Sequence, residues 1–165
     1  MSDFSDALEQ RLSNNADLAE RRRAAEEEMD KVRSDAEAAE RALDERKRRH
    51  HGDLAAHLQQ VADQLKASRP ESFIVRSSWT ESGEEFVAKM TTRQMRPKRS
   101  LFIEVDRDDD EVLARWTSDV GSAIEIWRLL QVTPEMLTEM VLQVADDVLW
   151  AEGRPPAFPA GLPAD

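Results

Sequence analysis

Apolar residues in the first part of the chain recur at alternating steps of four and three residues. Between Leu18 and His50 their mean spacing is about 3.5 residues, which is typical of a coiled-coil seam and narrower than the apolar face of a core helix. The pattern predicts a long helix that uses one apolar edge to associate with another helix. Arg22, Arg46 and His50 interrupt a seam that otherwise consists of Leu18, Ala25, Met29, Val32, Ala36, Ala39 and Leu43.

The seam shifts by one residue after His50, since the next apolar positions are Leu54, Leu58, Val61 and Leu65. Gly52 disfavours a helix and Asp53 is a suitable N-cap, so we expect a break near residues 51–53, either a kink or a helical hairpin. Residues 13–17 are a second weak point, and they predict a short separate helix or a frayed segment around Phe4, Leu8 and Leu12.

The pattern changes after Pro70 to strict alternation of apolar and polar residues. It predicts antiparallel strands around residues 73–79, 86–90, 101–105 and 112–116, with turn residues between them. Residues 122–131 fit a strand or a helix, and their β-branched and aromatic content favours a strand. Thr133 and Pro134 then begin a helix whose apolar face contains Leu137, Met140, Val141, Val144 and Val148.

These elements predict an α+β protein. A helical, coiled-coil-like stem occupies residues 1–68, and a head domain at 70–153 has an antiparallel sheet of four or five strands covered by the C-terminal helix. Residues 154–165 are rich in proline and alanine and are expected to be a disordered tail.

Two features of the head are candidate partner-binding surfaces. An apolar strip is expected on the uncovered sheet face, unless the stem folds back over it, and it comprises Ile74, Val87, Phe102 and Leu113. The connection between the second and third strands is basic and suits an acidic partner surface, through Arg93, Arg96, Lys98 and Arg99.

Composition narrows the range of partners. The net charge is −11, with −3 in residues 1–69 and −8 in residues 70–165, so neither nucleic acid nor an anionic membrane is an expected partner. The chain has no cysteine, no signal-like N-terminus and no long apolar run, which together favour a cytoplasmic protein without a membrane span.

No motif indicates catalysis, and neither a metal nor another cofactor is expected. His50, Asp53 and His57 share a helix face but lack a fourth ligand, so we interpret them as polar residues at a helix break. The acidic turn at residues 106–111 resembles the start of a calcium loop, but Glu111 and Thr117 occupy positions where that loop needs glycine and glutamate.

The sequence therefore predicts a non-enzymatic adaptor or assembly protein with protein partners. The stem would form a homodimer or bind a partner helix, and the head would dock a protein client. One alternative is an acidic chaperone or inhibitor that occupies a basic partner surface. Another is a small enzyme with a carboxylate-lined site that uses Glu104, Asp106 or Asp108, with Arg76 or Arg99 orienting an anion.

Overall fold

The computed structural model describes residues 2–163 and confirms the α+β class. Helix α1 spans Ser2–Ser68 and precedes five strands and two further helices. No helix within residues 2–163 has an apolar stretch long enough to cross a membrane. The elements after α1 are β1 (Phe73–Trp79), β2 (Glu85–Thr92), β3 (Arg99–Asp106), β4 (Glu111–Ser118), β5 (Gly121–Arg128), a 3-10 turn (Leu129–Gln131), α2 (Pro134–Ala145) and α3 (Asp147–Trp150).

The five strands form an antiparallel meander in the order β1-β2-β3-β4-β5. In the central strand, Leu101 lies opposite Met90 on one side and Trp116 on the other. The tight turns need left-handed backbone, which Gly83 and Gly121 adopt without steric cost, at φ 74° and 126°. Residues 121–128 form the fifth strand, so the preference for a strand in this ambiguous segment is correct.

One face of the sheet carries the hydrophobic core. Its alternate residues are buried together with the last third of α1 and with α2 in a single cluster. The helical members of the cluster fall at the spacing of one helix face, and the sequence pattern identified all of them except Ala55, Ala62 and Met136. The helical members are Leu54, Ala55, Leu58, Val61 and Ala62 of α1 and Met136, Leu137, Met140, Val141 and Val144 of α2.

Helix α1 continues without a break through residues 51–53, so the predicted kink or hairpin is wrong. Gly52 faces open space, and a Cβ added to it would meet no other heavy atom within 4 Å. Burial of Leu54 and Leu58 against the sheet offsets the cost of one helical glycine, which is about 1 kcal/mol. The helix is also continuous across residues 13–17, where we expected a separate first segment.

The chain divides into two compact units between Asp44 and Glu45, and not near residue 69 as predicted. Residues 3–44 are helical, and every one of their side chains is exposed. The second unit contains the rest of α1, the sheet and the C-terminal elements. Residues 45–68 therefore belong to the folded unit, because their apolar face is part of its core.

Helix α2 begins as predicted, since the hydroxyl of Thr133 accepts a hydrogen bond from the backbone N–H of Met136. It ends earlier than expected, at Ala145. The carboxylate of Asp146 then accepts a hydrogen bond from the N–H of Val148 and begins α3. This change of direction leaves Val148 exposed, so its assignment to the apolar face of the helix is wrong.

The C-terminal segment contradicts the prediction of a disordered tail for residues 154–163; residues 164 and 165 lie outside the described part. Phe158 stacks on the buried Trp116 with ring centroids 5.5 Å apart. The backbone N–H of Leu162 donates to the carbonyl of Gln131 at 2.8 Å. These contacts hold the segment across the aromatic part of the core.

Candidate functional site

The predicted seam of α1 is an exposed apolar edge within residues 3–44, where Phe4, Leu8 and Leu12 are exposed as well. Met29 and Val32 are 64% and 60% exposed, and Leu18 and Leu43 are also exposed. Ala25, Ala36 and Ala39 lie between them on the same helix edge. The structure therefore brings all seven predicted seam residues onto one accessible edge of a continuous helix.

The outer face of the sheet, opposite the core, carries the four predicted apolar residues of the head. Ile74, Val87, Phe102 and Leu113 all alternate with buried neighbours, so they lie on the face that the core does not use. Ile74 is exposed, whereas the other three are half-buried among their neighbours on adjacent strands.

The strand register separates these residues into different rows across the sheet. Val87 and Leu113 share a row, with Glu104 between them, and Ile126 of β5 continues it. Phe102 belongs to the next row, where the guanidinium of Arg115 lies 5.0 Å from the centre of its ring. The predicted residues therefore do not form one continuous strip, because Glu104 separates Val87 from Leu113 and Ile74 lies in a third row, opposite Thr91.

Two residues of β5 are the most exposed apolar members of the outer face and were missing from the predicted strip. Ile124 and Ile126 are 57% and 50% exposed. They would have been found if residues 122–131 had been assigned firmly to a strand, because both then alternate with the buried Trp127.

The basic connection between β2 and β3 contributes three exposed side chains, those of Arg93, Arg96 and Lys98. A shallow cavity of about 560 Å³ is lined by Arg96 and Lys98 and also by Asp119. The backbone N–H of Lys98 donates a hydrogen bond to the carboxylate of Asp119 at 3.3 Å. This acidic residue reduces the positive character of the connection.

Arg99 has to be removed from the predicted partner surface, because it is only 2% exposed. Its Nε donates to the carbonyl oxygen of Val144 at 2.8 Å, and a terminal nitrogen donates to the carboxylate of Asp147 at 2.8 Å. Its guanidinium carbon also lies 5.4 Å from the centre of the Trp150 ring. Arg99 thus joins β3 to the C-terminal helices.

An acidic group on the outer face, near the end of the central strand β3, contains Glu104 and Asp106 of the carboxylates considered for an enzyme site, together with Glu85. Carboxylate oxygens of Glu85, Glu104 and Asp106 lie within 4.8 Å of one another. Burial raises the pKa of the Glu104 carboxyl, and the nearby charges of Glu85 and Asp106 raise it further. One oxygen of Asp106 already accepts hydrogen bonds from the N–H groups of Asp108 and Asp109. Such a group does not by itself identify a metal site.

The three histidines contact separate parts of the folded unit. Nε2 of His50 lies 2.6 Å from the carbonyl oxygen of Val132, and Nε2 of His51 lies 3.1 Å from that of Val105. His57 Nε2 lies 2.7 Å from the hydroxyl of Thr138. Because a carbonyl can only accept, the first two nitrogens donate their protons. These residues anchor α1 to the sheet and to the elements that follow it.

Comparison with known proteins identifies no relative. No family model matches the chain, and neither a curated protein nor a solved structure is significantly similar to it.

Proposed function

We propose that this protein is a non-enzymatic interaction protein that uses the exposed part of α1 to associate with another helix. The observation that supports this proposal is the seam of exposed apolar residues on residues 3–44, where no side chain is buried. Packing of an apolar edge normally supplies most of the stability of a protein helix. A partner helix would supply that packing here.

The composition of the seam predicts association of moderate strength. Leu18, Met29, Val32 and Leu43 provide most of the apolar area, whereas the intervening alanines allow close approach but bury little surface. Burial of one large apolar side chain contributes roughly 1.5–3 kcal/mol. Loss of two large seam residues is therefore expected to weaken association strongly.

The test uses the full chain with the double substitution Met29→Glu and Val32→Glu. Its matched control, Ala24→Glu with Ser34→Glu, adds the same charge on exposed positions outside the seam. Light scattering coupled to size exclusion reports self-association, and affinity purification reports a foreign helix. We expect the seam variant, but not the control, to lose the associated chain. If the seam variant and the control gave the same result in both light scattering and affinity purification, the proposal would be contradicted.

We also propose that the folded unit docks a protein client on the outer face of its sheet. Ile124 and Ile126 support this choice, because they expose apolar surface next to the half-buried row of Val87 and Leu113. In affinity purification, replacing both isoleucines by serine should abolish binding of the client. The seam variant, whose outer face is unchanged, should still bind it. Recovery of the same client with and without these isoleucines would exclude the outer face.

A further inference from the structure

Residues 3–44 belong to one unbroken helix, so a heptad register found in part of this exposed segment can be continued through the rest of it. The register found from Leu18 onwards therefore extends back to Phe4, with Asn15 and Arg11 at polar positions. Within the exposed segment, the a and d positions are Phe4, Leu8, Arg11, Asn15, Leu18, Arg22, Ala25, Met29, Val32, Ala36, Ala39 and Leu43.

A parallel pair in register would bring like charges together in its core. Each a or d residue then faces its own copy, so Arg11 lies opposite Arg11 and Arg22 lies opposite Arg22. The charge pairs between g positions of one copy and e positions of the other are partly attractive and partly repulsive in this parallel arrangement. Arg21 with Glu26 is attractive, as is Glu28 with Arg33, but Asp35 with Glu40 is repulsive.

An antiparallel pair centred between Arg23 and Ala24 separates the two copies of Arg11 and removes the direct opposition of the two copies of Arg22, which then lie in adjacent layers about 4.5 Å apart along the axis. In this arrangement each a residue faces a d residue, so Leu18 lies opposite Met29 and Phe4 lies opposite Leu43. The two seam arginines then face alanines, Arg22 opposite Ala25 and Arg11 opposite Ala36. A small opposing residue leaves room for the long arginine side chain to reach solvent.

The same register also places an acidic residue next to each seam arginine. Glu26 of the second copy follows Ala25 and therefore lies beside Arg22. Asp35 of the second copy precedes Ala36 and therefore lies beside Arg11. At the flanking g positions, Arg21 lies near Glu28 of the second copy, and the two-fold symmetry repeats this pair.

We infer that the partner of the exposed helix is a second copy of this chain, bound antiparallel with Leu18 opposite Met29. This inference rests on the proposed function and specifies its partner. Charge complementarity of the two seam arginines supports it. The overlap from Phe4 to Leu43 also coincides with the helical residues 3–44 that have no buried side chain.

Asn15 is the residue that fits this arrangement least well. It lies opposite Val32 of the second copy, whereas in a parallel pair it would face another Asn15, an arrangement that specifies register and the number of chains at a cost in stability. Replacing Asn15 by leucine should therefore strengthen the antiparallel dimer and lower its dissociation constant several-fold. In a parallel dimer the same change would also alter the number of chains.

Cysteine cross-linking of the full chain distinguishes the two orientations, because the natural chain contains no cysteine. The variants are Leu18→Cys and Met29→Cys, oxidised separately and as an equimolar mixture. In the antiparallel dimer, two copies of Leu18 are separated by eleven residues of helix, about 16 Å along the axis. A disulfide needs Cα atoms within about 7 Å, so neither variant should cross-link alone. The mixture should form a disulfide in up to about half of its dimers, the fraction of mixed pairs.

The outcomes separate failure of this inference from failure of the proposed function. A covalent dimer of Leu18→Cys alone shows a parallel pair and overturns only the antiparallel arrangement. If the wild-type chain is a monomer that captures a foreign protein through the seam, the partner is not a second copy, but the proposed helix-binding function still holds. A monomer whose captured proteins do not depend on Met29 and Val32 overturns both.

Discussion

Glu104 lies on the central strand of the outer face, between Val87 and Leu113 in one row. Burial and the neighbouring carboxylates raise its pKa above the ordinary value of 4.5, so the folded protein favours the protonated carboxyl more than the unfolded chain does. Its contribution to stability is therefore most favourable below pH 4.5 and is lost as the pH rises through the folded-state pKa.

Replacement of Glu104 by glutamine is expected to stabilise the folded unit at pH 7. The change removes a charge that the folded state disfavours, and the gain is expected to be at most about 0.5 kcal/mol, the usual range for a substitution near the surface. Urea unfolding followed by tryptophan fluorescence measures it. The difference from wild type should disappear below pH 4.5. Glu125→Gln, on the exposed edge strand, is the control, and an equal gain there would contradict the electrostatic explanation.

Arg99 shows how far the sequence can predict whether a single residue is exposed or buried. Arg99 belongs to a basic run, and this neighbourhood led to its assignment to a partner surface. The alternation along β3 instead indicates a buried position, because Arg99 lies on the same strand face as Leu101 and Ile103, which are both fully buried. Only the folded structure shows the partners that allow this charge to be buried, Asp147 and the carbonyl of Val144.

At the scale of elements, local patterns predicted the strands and the beginning of α2, because alternation and capping are properties of neighbouring residues. The continuity of α1 at Gly52 and the order of the C-terminal segment depend on distant contacts. Burial of Leu54 favours a continuous helix at Gly52, and stacking of Phe158 on Trp116 favours an ordered C-terminal segment. Such contacts leave little signal in the local sequence, so the segments were predicted as a break and as a disordered tail.

The same distinction between local patterns and contacts of distant residues applies to the candidate surfaces. The sequence predicts that the seven seam residues share one helix edge, because a heptad repeat is a local pattern, and the continuous helix preserves that arrangement. The outer face was predicted only in part, since its rows depend on the register between five strands. Ile126 joins Val87 and Leu113 only through the pairing of β4 with β5. The acidic group of Glu85, Glu104 and Asp106 likewise depends on strand pairing.

At the scale of the whole molecule, two spectroscopic signals report on different units. All four tryptophans lie between Glu45 and Asp165, so tryptophan fluorescence follows only the folded unit. Residues 3–44 contain about half of the α-helical residues, so circular dichroism at 222 nm follows both units. Comparison of the two signals separates melting of the exposed helix from unfolding of the core.

We expect the two signals to differ in their dependence on protein concentration. Association of the exposed helix stabilises it by mass action, so its melting temperature should rise by several degrees between about 1 and 100 μM chain. The tryptophan transition should change little, because the core is complete within one chain. In the Met29→Glu, Val32→Glu variant the concentration dependence should be lost while the tryptophan transition is retained. Superimposable circular dichroism curves for the wild type at both concentrations would contradict self-association and would leave a foreign helix as the partner of the seam.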